Sequence, residues 1–86
     1  MELTVSNDNG VHVRPATQIV ETANRFECEV SIRRGDEDAN AKSVIEVLQL
    51  ALLQGERIEI LADGKGADKA VQSIAKLFQD NFGFEH

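Results

Sequence analysis

The sequence predicts an α+β fold in which three helices cover one face of a four-stranded antiparallel sheet. In four stretches apolar and polar residues alternate, which is typical of strands with one buried face. In three others apolar residues recur at three- and four-residue spacing, which is typical of amphipathic helices. The predicted order is strand, helix, two strands, helix, strand, helix. An open-faced sandwich buries all of these apolar faces and leaves the other face of the sheet in solvent.

The first half of the chain contains the first strand, the first helix and a strand pair. Residues 2–6 alternate with Leu3 and Val5 inward, and residues 7–10 have turn chemistry. The first helix is predicted from Val13 to Phe26 and the second strand from Cys28 to Arg33. A turn over residues 34–38 then leads to a short edge strand at residues 39–41. The apolar face of the helix consists of Ala16, Ile19, Val20, Ala23 and Phe26.

The second half contains a helix, a strand and a last helix. Ser43 and Glu46 have the spacing of a capping box and predict a helix from Ser43 to about Leu53. Gln54-Gly55 closes it, and residues 57–61 alternate as the last strand. The third helix is predicted over residues 67–81, and we expect the aromatic residues of the tail at 82–86 to pack back on the domain. The inward residues of the third helix are Ala70, Val71, Ile74, Leu77 and Phe78.

Composition predicts one small domain over residues 1–86 and excludes several classes of function. A net charge of −6 argues against a nucleic-acid partner. The sequence has neither an apolar run long enough to insert in a membrane nor a secretory leader. Its single cysteine, Cys28, is interpreted as a small buried residue and suits a reducing cytoplasm. With no cluster of metal-ligating side chains, we expect neither a metal nor another cofactor.

Residues 10–16, Gly-Val-His-Val-Arg-Pro-Ala, carry the chemistry that organises the chain. His12 stands where a helix begins, and Pro15 is tolerated in a first turn. The early N–H groups of a helix lack intrahelical acceptors and favour an anion. A neutral imidazole nitrogen can accept a phosphoryl group, and Arg14 can donate two hydrogen bonds to its oxygens. The alternative, a capping histidine beside a solvated arginine, is the better interpretation for an isolated histidine but not for this motif.

This motif resembles the Gly-Leu-His-Ala-Arg-Pro-Ala signature of the HPr family, the histidine phosphocarriers of bacterial phosphotransferase systems. The resemblance extends along essentially the whole chain. It includes Asn24-Arg25-Phe26 after the first helix, residues 41–45 (Ala-Lys-Ser-Val-Ile), Gln54-Gly55, Ala62-Asp63-Gly64, Ala70 and residues 74–78.

The resemblance implies a mechanism and a set of partners. His12 matches the phosphorylated histidine, Arg14 the arginine that contacts the phosphoryl group, and Ser43 the regulatory serine. Enzyme I, the phosphoenolpyruvate-dependent kinase, would be the donor, and a histidine on an enzyme IIA domain the acceptor. HPr kinase/phosphorylase would modify Ser43 in organisms that have it. We expect a monomer that acts as a phosphoryl-transfer intermediate in sugar uptake or its regulation, rather than a free-standing enzyme.

The resemblance also implies a docking surface around His12 and the start of the second helix. Its expected members are Val11, Val13, Thr17, Val44, Ile45 and Leu48. We expect Val11, Val13, Val44 and Ile45 to be exposed, although Val44 is the one best suited to the core.

The charges beside this surface depart from the family pattern. Glu21, Asn24 and Glu46 stand where sugar-transport relatives often carry lysine, which predicts partners with a less acidic docking face. Glu21, residues 43–45 and the Leu77-Phe78 to Phe82-Gly83-Phe84 tail are similar to the nitrogen-branch relatives, so the branch stays open.

Two other hypotheses belong to different classes. A regulatory docking module with the same fold would act by binding proteins, in nitrogen-branch or serine-phosphorylation signalling. Modules of that kind typically lack the histidine, whereas this chain has both His12 and Arg14. An unrelated small α/β ligand-binding domain has no pocket signature here to support it.

Overall fold

The structure, a computed structural model, describes residues 1–6 and 11–83, and these form the predicted order of elements. The predicted turn at residues 7–10 and the tail residues Phe84, Glu85 and His86 lie outside the described residues. The strands are β1 (Glu2–Thr4), β2 (Glu29–Arg34), β3 (Glu37–Asn40) and β4 (Arg57–Asp63). The helices are α1 (Val13–Ala23), α2 (Val44–Leu50) and α3 (Ala67–Gln79), followed by a 3-10 turn (Asn81–Gly83).

The sheet has the strand order β1-β4-β2-β3, and all three neighbouring pairs are antiparallel. Ile60 of β4 lies opposite Ile32 of β2, and Leu3 of β1 lies opposite Ile58. Between β2 and β3 the chain reverses at Gly35 and Asp36, where Gly35 adopts a φ of 59°, a left-handed conformation that glycine permits without strain.

One face of the sheet is covered by the helices and the other is open. The inward residues Val30, Ile32, Ile58 and Ile60 are buried, whereas the alternate positions are exposed or half-buried. Helix α1 contacts both α2 and α3, α2 packs on β3, and α3 packs on β2 and β4. The predicted α+β open-faced sandwich is confirmed. Its helical core residues include Ala16, Ile19, Val47, Ile74 and Phe78.

Helix α1 is shorter than predicted, ending at Ala23 instead of Phe26. The Asn24 side chain donates to the carbonyl of Val20 (2.9 Å), and the N–H groups of Arg25 and Phe26 bond to Thr22 and Ala23 in a tighter turn. Phe26 still packs against the core. Its burial therefore continues the apolar periodicity past the true end of the helix.

Helix α2 ends at Leu50, three residues before the predicted end at Leu53. Ala51 follows in the left-handed conformation (φ 52°, ψ 51°) and stops the helix. An L-residue has a steric cost in that conformation, and no glycine marks this end in the sequence.

The remaining differences concern strand ends and the last helix. Strand β1 is shorter than predicted, ending at Thr4, although Val5 is still buried. Strand β3 begins at Glu37, inside the predicted turn, because Glu37 and Asp38 pair with the end of β2. Strand β4 continues to Asp63, and α3 stops at Gln79.

Phe82 confirms the expectation that the tail packs on the domain, as far as the structure describes it. Its ring is buried and meets the ring of Phe78 edge-on, with centroids 4.8 Å apart. The Gln18 side chain on α1 donates to the Phe82 carbonyl (3.2 Å). The 3-10 turn is thereby joined to both α1 and α3.

We predict that Ala51→Gly stabilises the fold. Glycine relieves the left-handed strain of about 1–2 kcal/mol but gives up chain entropy of about 0.5–1 kcal/mol, which leaves a net gain of about 0.5–1 kcal/mol. Urea unfolding measures the change in free energy. As the matched control, Ala75→Gly in the interior of α3 should lose at least about 1 kcal/mol. A loss at position 51 equal to that at position 75 would contradict the assignment of strain to Ala51.

Candidate functional site

His12 is the N-cap residue of α1 and is exposed to solvent. Its backbone is extended (φ −104°, ψ −160°), and its carbonyl accepts the first bond of the helix, from the N–H of Ala16 (2.8 Å). The side chain makes no capping bond to the helix. The exposed residue is thus held at the positive end of the helix.

The residues around His12 fix where the helix begins. Val11 donates its N–H to the carbonyl of Leu52 (2.9 Å), and Pro15 is buried in the first turn. Because Ala16 makes the first bond within the helix, the N–H groups of Val13 and Arg14 lie outside the helical ladder and face its N-terminal end. This is the arrangement that favours an anion beside His12.

Arg14 is exposed and lies two residues after His12 in the first turn of α1. A guanidinium there can reach an anion at the helix end with a pair of donors. Thr17 is exposed one turn later, and its hydroxyl donates to the carbonyl of Val13 (2.8 Å). The Thr17 hydroxyl therefore donates its hydrogen within the helix. Thr17 can contact a partner because it lies on the exposed side of α1.

Among the expected docking residues on α1, Val13 is exposed but Val11 is not. The Val13 side chain is 61% exposed, whereas that of Val11 is only 5% exposed. The expectation of an exposed Val11 is wrong. The bond from Val11 to Leu52 draws this residue against the α2–β4 connection and into the core.

On α2, Ile45 is exposed and its two neighbouring candidates are half-buried. The Ile45 side chain is 68% exposed. Leu48 packs partly against the core, and Val44 is half-buried, so that it is neither fully exposed nor in the core. Ile45 is the clearest apolar surface residue of this helix.

Ser43 is the N-cap of α2, and half of the predicted capping box forms. Its hydroxyl oxygen accepts the N–H of Glu46 (3.3 Å). The Glu46 carboxylate does not return to Ser43 but accepts the N–H of Asn40 (3.0 Å), while the N–H of Ser43 bonds to the Asn40 carbonyl (3.0 Å). The cap therefore joins α2 to the end of β3.

The structure does not bring Ser43 next to His12. The chain before α1 meets the C-terminal side of α2 through Val11 and Leu52. Lys42 directly precedes Ser43, and its ammonium donates a hydrogen bond to the Phe26 carbonyl, beyond the C-terminal end of α1 (2.7 Å). Helices α1 and α2 thus run antiparallel. The seven-residue helix α2, about 10 Å long, separates Ser43 at its start from its other end, which lies near the start of α1.

One exposed apolar residue was missed by the sequence interpretation. Leu53 is 62% exposed and directly follows Leu52, whose carbonyl holds Val11. The sequence placed Leu53 at the end of a helix. Only the early stop at Ala51 turns it outward while Leu52 is buried, and no residue type in the sequence marks that stop.

The charges beside these apolar residues are acidic or neutral. Glu21 is exposed on α1, Asn24 is exposed directly after that helix, and Glu46 is exposed on α2. Arg14 is the basic residue of the first turn of α1. A partner that docks here meets carboxylates on the flanks of both helices.

Other candidate chemistry is not supported within residues 1–6 and 11–83. No group of three or more histidine, cysteine or carboxylate residues there could hold a metal ion. Cys28 is buried, as expected, and none of the helices described combines the length and apolarity needed to cross a membrane. Two of the acidic residues of the predicted turn pair with arginines: Asp38 with Arg33 (2.8 Å) and Glu37 with Arg34 (2.7 Å).

Comparison with known proteins identifies relatives over most of the chain. The family model described as "PTS HPr component phosphorylation site" matches residues 1–80. A phosphocarrier protein HPr from Xylella fastidiosa is 35% identical over 81 residues, which cover 94% of this chain and 91% of the relative. The phosphoryl donor subunit DhaM of a PEP-dependent dihydroxyacetone kinase from Providencia stuartii is 33% identical over 79 residues, or 92% of this chain and 17% of its own length.

Solved structures show the same fold. The crystal structure of HPr-C-His from Thermoanaerobacter tengcongensis has a TM-score of 0.95 at 28% identity and covers 100% of this chain and 97% of its own. The crystal structure of the catabolite repression protein Crh of Bacillus subtilis, which is described as a dimer with a swapping domain, has a TM-score of 0.78 at 29% identity and covers 92% of this chain and 91% of its own.

We predict that Ser43→Ala lowers the free energy of unfolding by about 1 kcal/mol, because it removes the acceptor for the Glu46 N–H. Thermal or urea unfolding measures the loss. Ser73→Ala, in the interior of α3, is the matched control and should change stability by less than about 0.5 kcal/mol. Equal losses in the two variants would show that the Ser43 cap contributes nothing specific.

Proposed function

Since the chain belongs to the HPr family of phosphocarrier proteins of the phosphotransferase system, we propose that it carries a phosphoryl group on His12 from phosphorylated enzyme I to enzyme IIA domains. One observation carries the proposal. His12 is an exposed N-cap whose ring is not used in capping, at the start of a helix whose first turn has N–H groups outside the helical ladder and carries Arg14.

The transfer is a substitution at phosphorus. A ring nitrogen of His12, the one facing the helix end, attacks the phosphorus held by enzyme I. The new N–P bond forms as the bond to enzyme I breaks, and the same exchange in the opposite sense passes the group to a histidine of a IIA domain. The phosphoryl oxygens accept hydrogen bonds from the first turn of α1 and from Arg14. No metal or other cofactor on this chain takes part.

The docking surface includes exposed apolar residues on three segments. Val13 on α1, Ile45 on α2 and Leu53 after α2 would lose water against a partner, with Thr17, Val44 and Leu48 completing the contact. Because Glu21 and Glu46 flank this surface, we expect partners with less acidic docking faces than those of enteric sugar systems.

The proposed setting is the cytoplasm, where a carrier of this kind serves sugar uptake or its regulation, or the nitrogen branch. Ser43 would be the regulatory site, modified by HPr kinase/phosphorylase where that enzyme exists. A phosphate there adds about two negative charges at the start of α2, next to Ile45 and Glu46. Partners that meet α2 would then dock less well.

A second candidate is a regulatory docking module that acts through protein binding. The likeness to Crh, whose description names catabolite repression, favours it. The two candidates differ in one observable: the docking module needs no phosphoryl group on His12.

We predict that incubation with phosphoenolpyruvate and enzyme I adds one phosphoryl group to this protein, measured by intact mass. The group should be lost in mild acid, as expected of an N–P bond, and absent in His12→Ala. His86→Ala, which removes the other histidine of the chain, is the matched control and should be phosphorylated normally. If the unaltered protein gains no mass with enzyme I from its own organism, the docking module becomes the better proposal.

We also predict that Ile45→Asp raises the KM for this protein as a substrate of enzyme I about tenfold while the fold is retained. The change puts a charge into an apolar contact, at a cost of about 1.4 kcal/mol or more in docking. Because Ile45 is exposed, the unfolding midpoint of the Ile45→Asp variant should barely differ from that of the unaltered protein. Val47, on the same helix, is fully buried, so Val47→Asp should unfold the protein. Unfolding of the Ile45 variant would refute its place on the surface.

A further inference from the structure

We propose that the 51–56 loop, the connection between α2 and β4, positions His12 for phosphoryl transfer and is itself fixed by Arg34 and Glu56. The inference rests on the proposed function, because it assigns Arg34 and Glu56 as positioning residues for the transfer at His12. Neither residue lies in the sequence motif that marks the site.

The 51–56 loop binds the backbone on both sides of residues 7–10. On the near side, the N–H of Val5 donates to Glu56 (2.9 Å), and the N–H of Gly55 donates to Val5 (2.8 Å). The Gln54 side chain donates to the carbonyl of Ser6 (3.2 Å). On the far side, Val11 donates to Leu52 (2.9 Å), one residue before His12.

The loop is in turn held by a carboxylate and a guanidinium. One oxygen of Glu56 accepts the N–H of Leu53 (3.0 Å), and the other accepts from Arg34 (2.8 Å). The Arg34 guanidinium also contacts the carbonyl of Ala51 (3.5 Å), where the chain is left-handed, and pairs with Glu37 (2.7 Å). Arg34 thus ties both ends of the loop to the end of β2.

The burial of this pair distinguishes it from an ordinary surface ion pair. The side chains of Arg34 and Glu56 are 24% and 28% exposed, whereas those of the neighbouring pair Arg33–Asp38 are 45% and 54% exposed. Partial burial strengthens a charged hydrogen bond and makes its loss costly. The hydrogen bonds that Arg34 donates to Glu37 and Glu56 also raise the pKa of its guanidinium.

Positioning matters because the reacting nitrogen of His12 must lie against the first-turn N–H groups of α1 for the transfer to occur. Its place relative to the first-turn N–H groups depends on where the chain enters α1, and the Val11–Leu52 bond sets that entry. A small displacement of a reacting group lowers the rate of transfer without changing what the partner binds. Loss of the Arg34–Glu56 bond should therefore lower kcat by a larger factor than it raises KM, to which Leu53 in the same loop contributes.

The experiment compares Arg34→Gln with Arg33→Gln, the adjacent arginine whose partner, Asp38, lies outside the 51–56 loop. Amide hydrogen exchange reports the fixing of the loop at Val11 and Gly55, with Ala70 in α3 as the reference amide. In Arg34→Gln we expect exchange at Val11 and Gly55 to be about tenfold faster relative to Ala70, as for the loss of one charged hydrogen bond. Arg33→Gln should leave the exchange rates of Val11 and Gly55 relative to Ala70 unchanged. Arg34→Lys should show exchange at Val11 and Gly55 that is slower than in Arg34→Gln.

Phosphorylation by enzyme I supplies the second measurement. We expect kcat for Arg34→Gln to fall several-fold, by a larger factor than KM rises, with both constants for Arg33→Gln close to those of the unaltered protein. Faster exchange at Val11 and Gly55 with unchanged kcat would overturn the positioning role. Equal acceleration at Ala70 would also overturn it, since only global stability would have changed. If the unaltered protein takes no phosphoryl group, the proposed function fails, and a positioning role in transfer fails with it. Amide hydrogen exchange would still decide whether Arg34 fixes the 51–56 loop.

Discussion

Burial of only one face of the sheet is the constraint on which the rest of the structure depends. Val30, Ile32, Ile58 and Ile60 need apolar cover, and three amphipathic helices on the same side supply it. Helices that lie on a sheet in this way have their ends at the rim of the layer rather than inside it. The N-terminal end of α1 is such an end. An anion can therefore approach the positive end of its dipole without any cavity being built, which fits a carrier that must receive a group and release it again.

Much of the fold was predictable because strands and helices with one buried face leave a periodic trace in the sequence. All strands and helices occur in the predicted order. The boundaries were less predictable, for two physical reasons. Phe26 is half-buried by a turn that follows the helix, so the apolar periodicity continues past the end of the helix. Ala51 adopts a left-handed conformation in which glycine is the usual residue, so the sequence did not indicate where α2 ends.

The candidate site divides in the same way. His12 and Arg14 were predictable because their placement depends only on a helix start encoded within a few residues. Val11 was assigned to the surface, but its bond to Leu52 buries it. Leu53 was missed for the related reason that its exposure depends on Ala51. The burial of Val11 depends on a contact between segments about forty residues apart, about which the spacing within one segment carries no information, whereas the exposure of Leu53 depends on a local conformation that no residue type marks.

The free edge of the sheet at β3 has a consequence for how the molecule behaves at high concentration. A bare edge strand is a template on which a second chain can add and begin an aggregate. Here Glu37 and Asp38 place carboxylates along β3, and the N–H of Asn40 already donates to Glu46. An approaching strand would have to displace Glu46 and bring its own backbone against these charges. Proteins whose edges carry such charges resist fibre formation, and neutralising the carboxylates in acid would remove part of that protection.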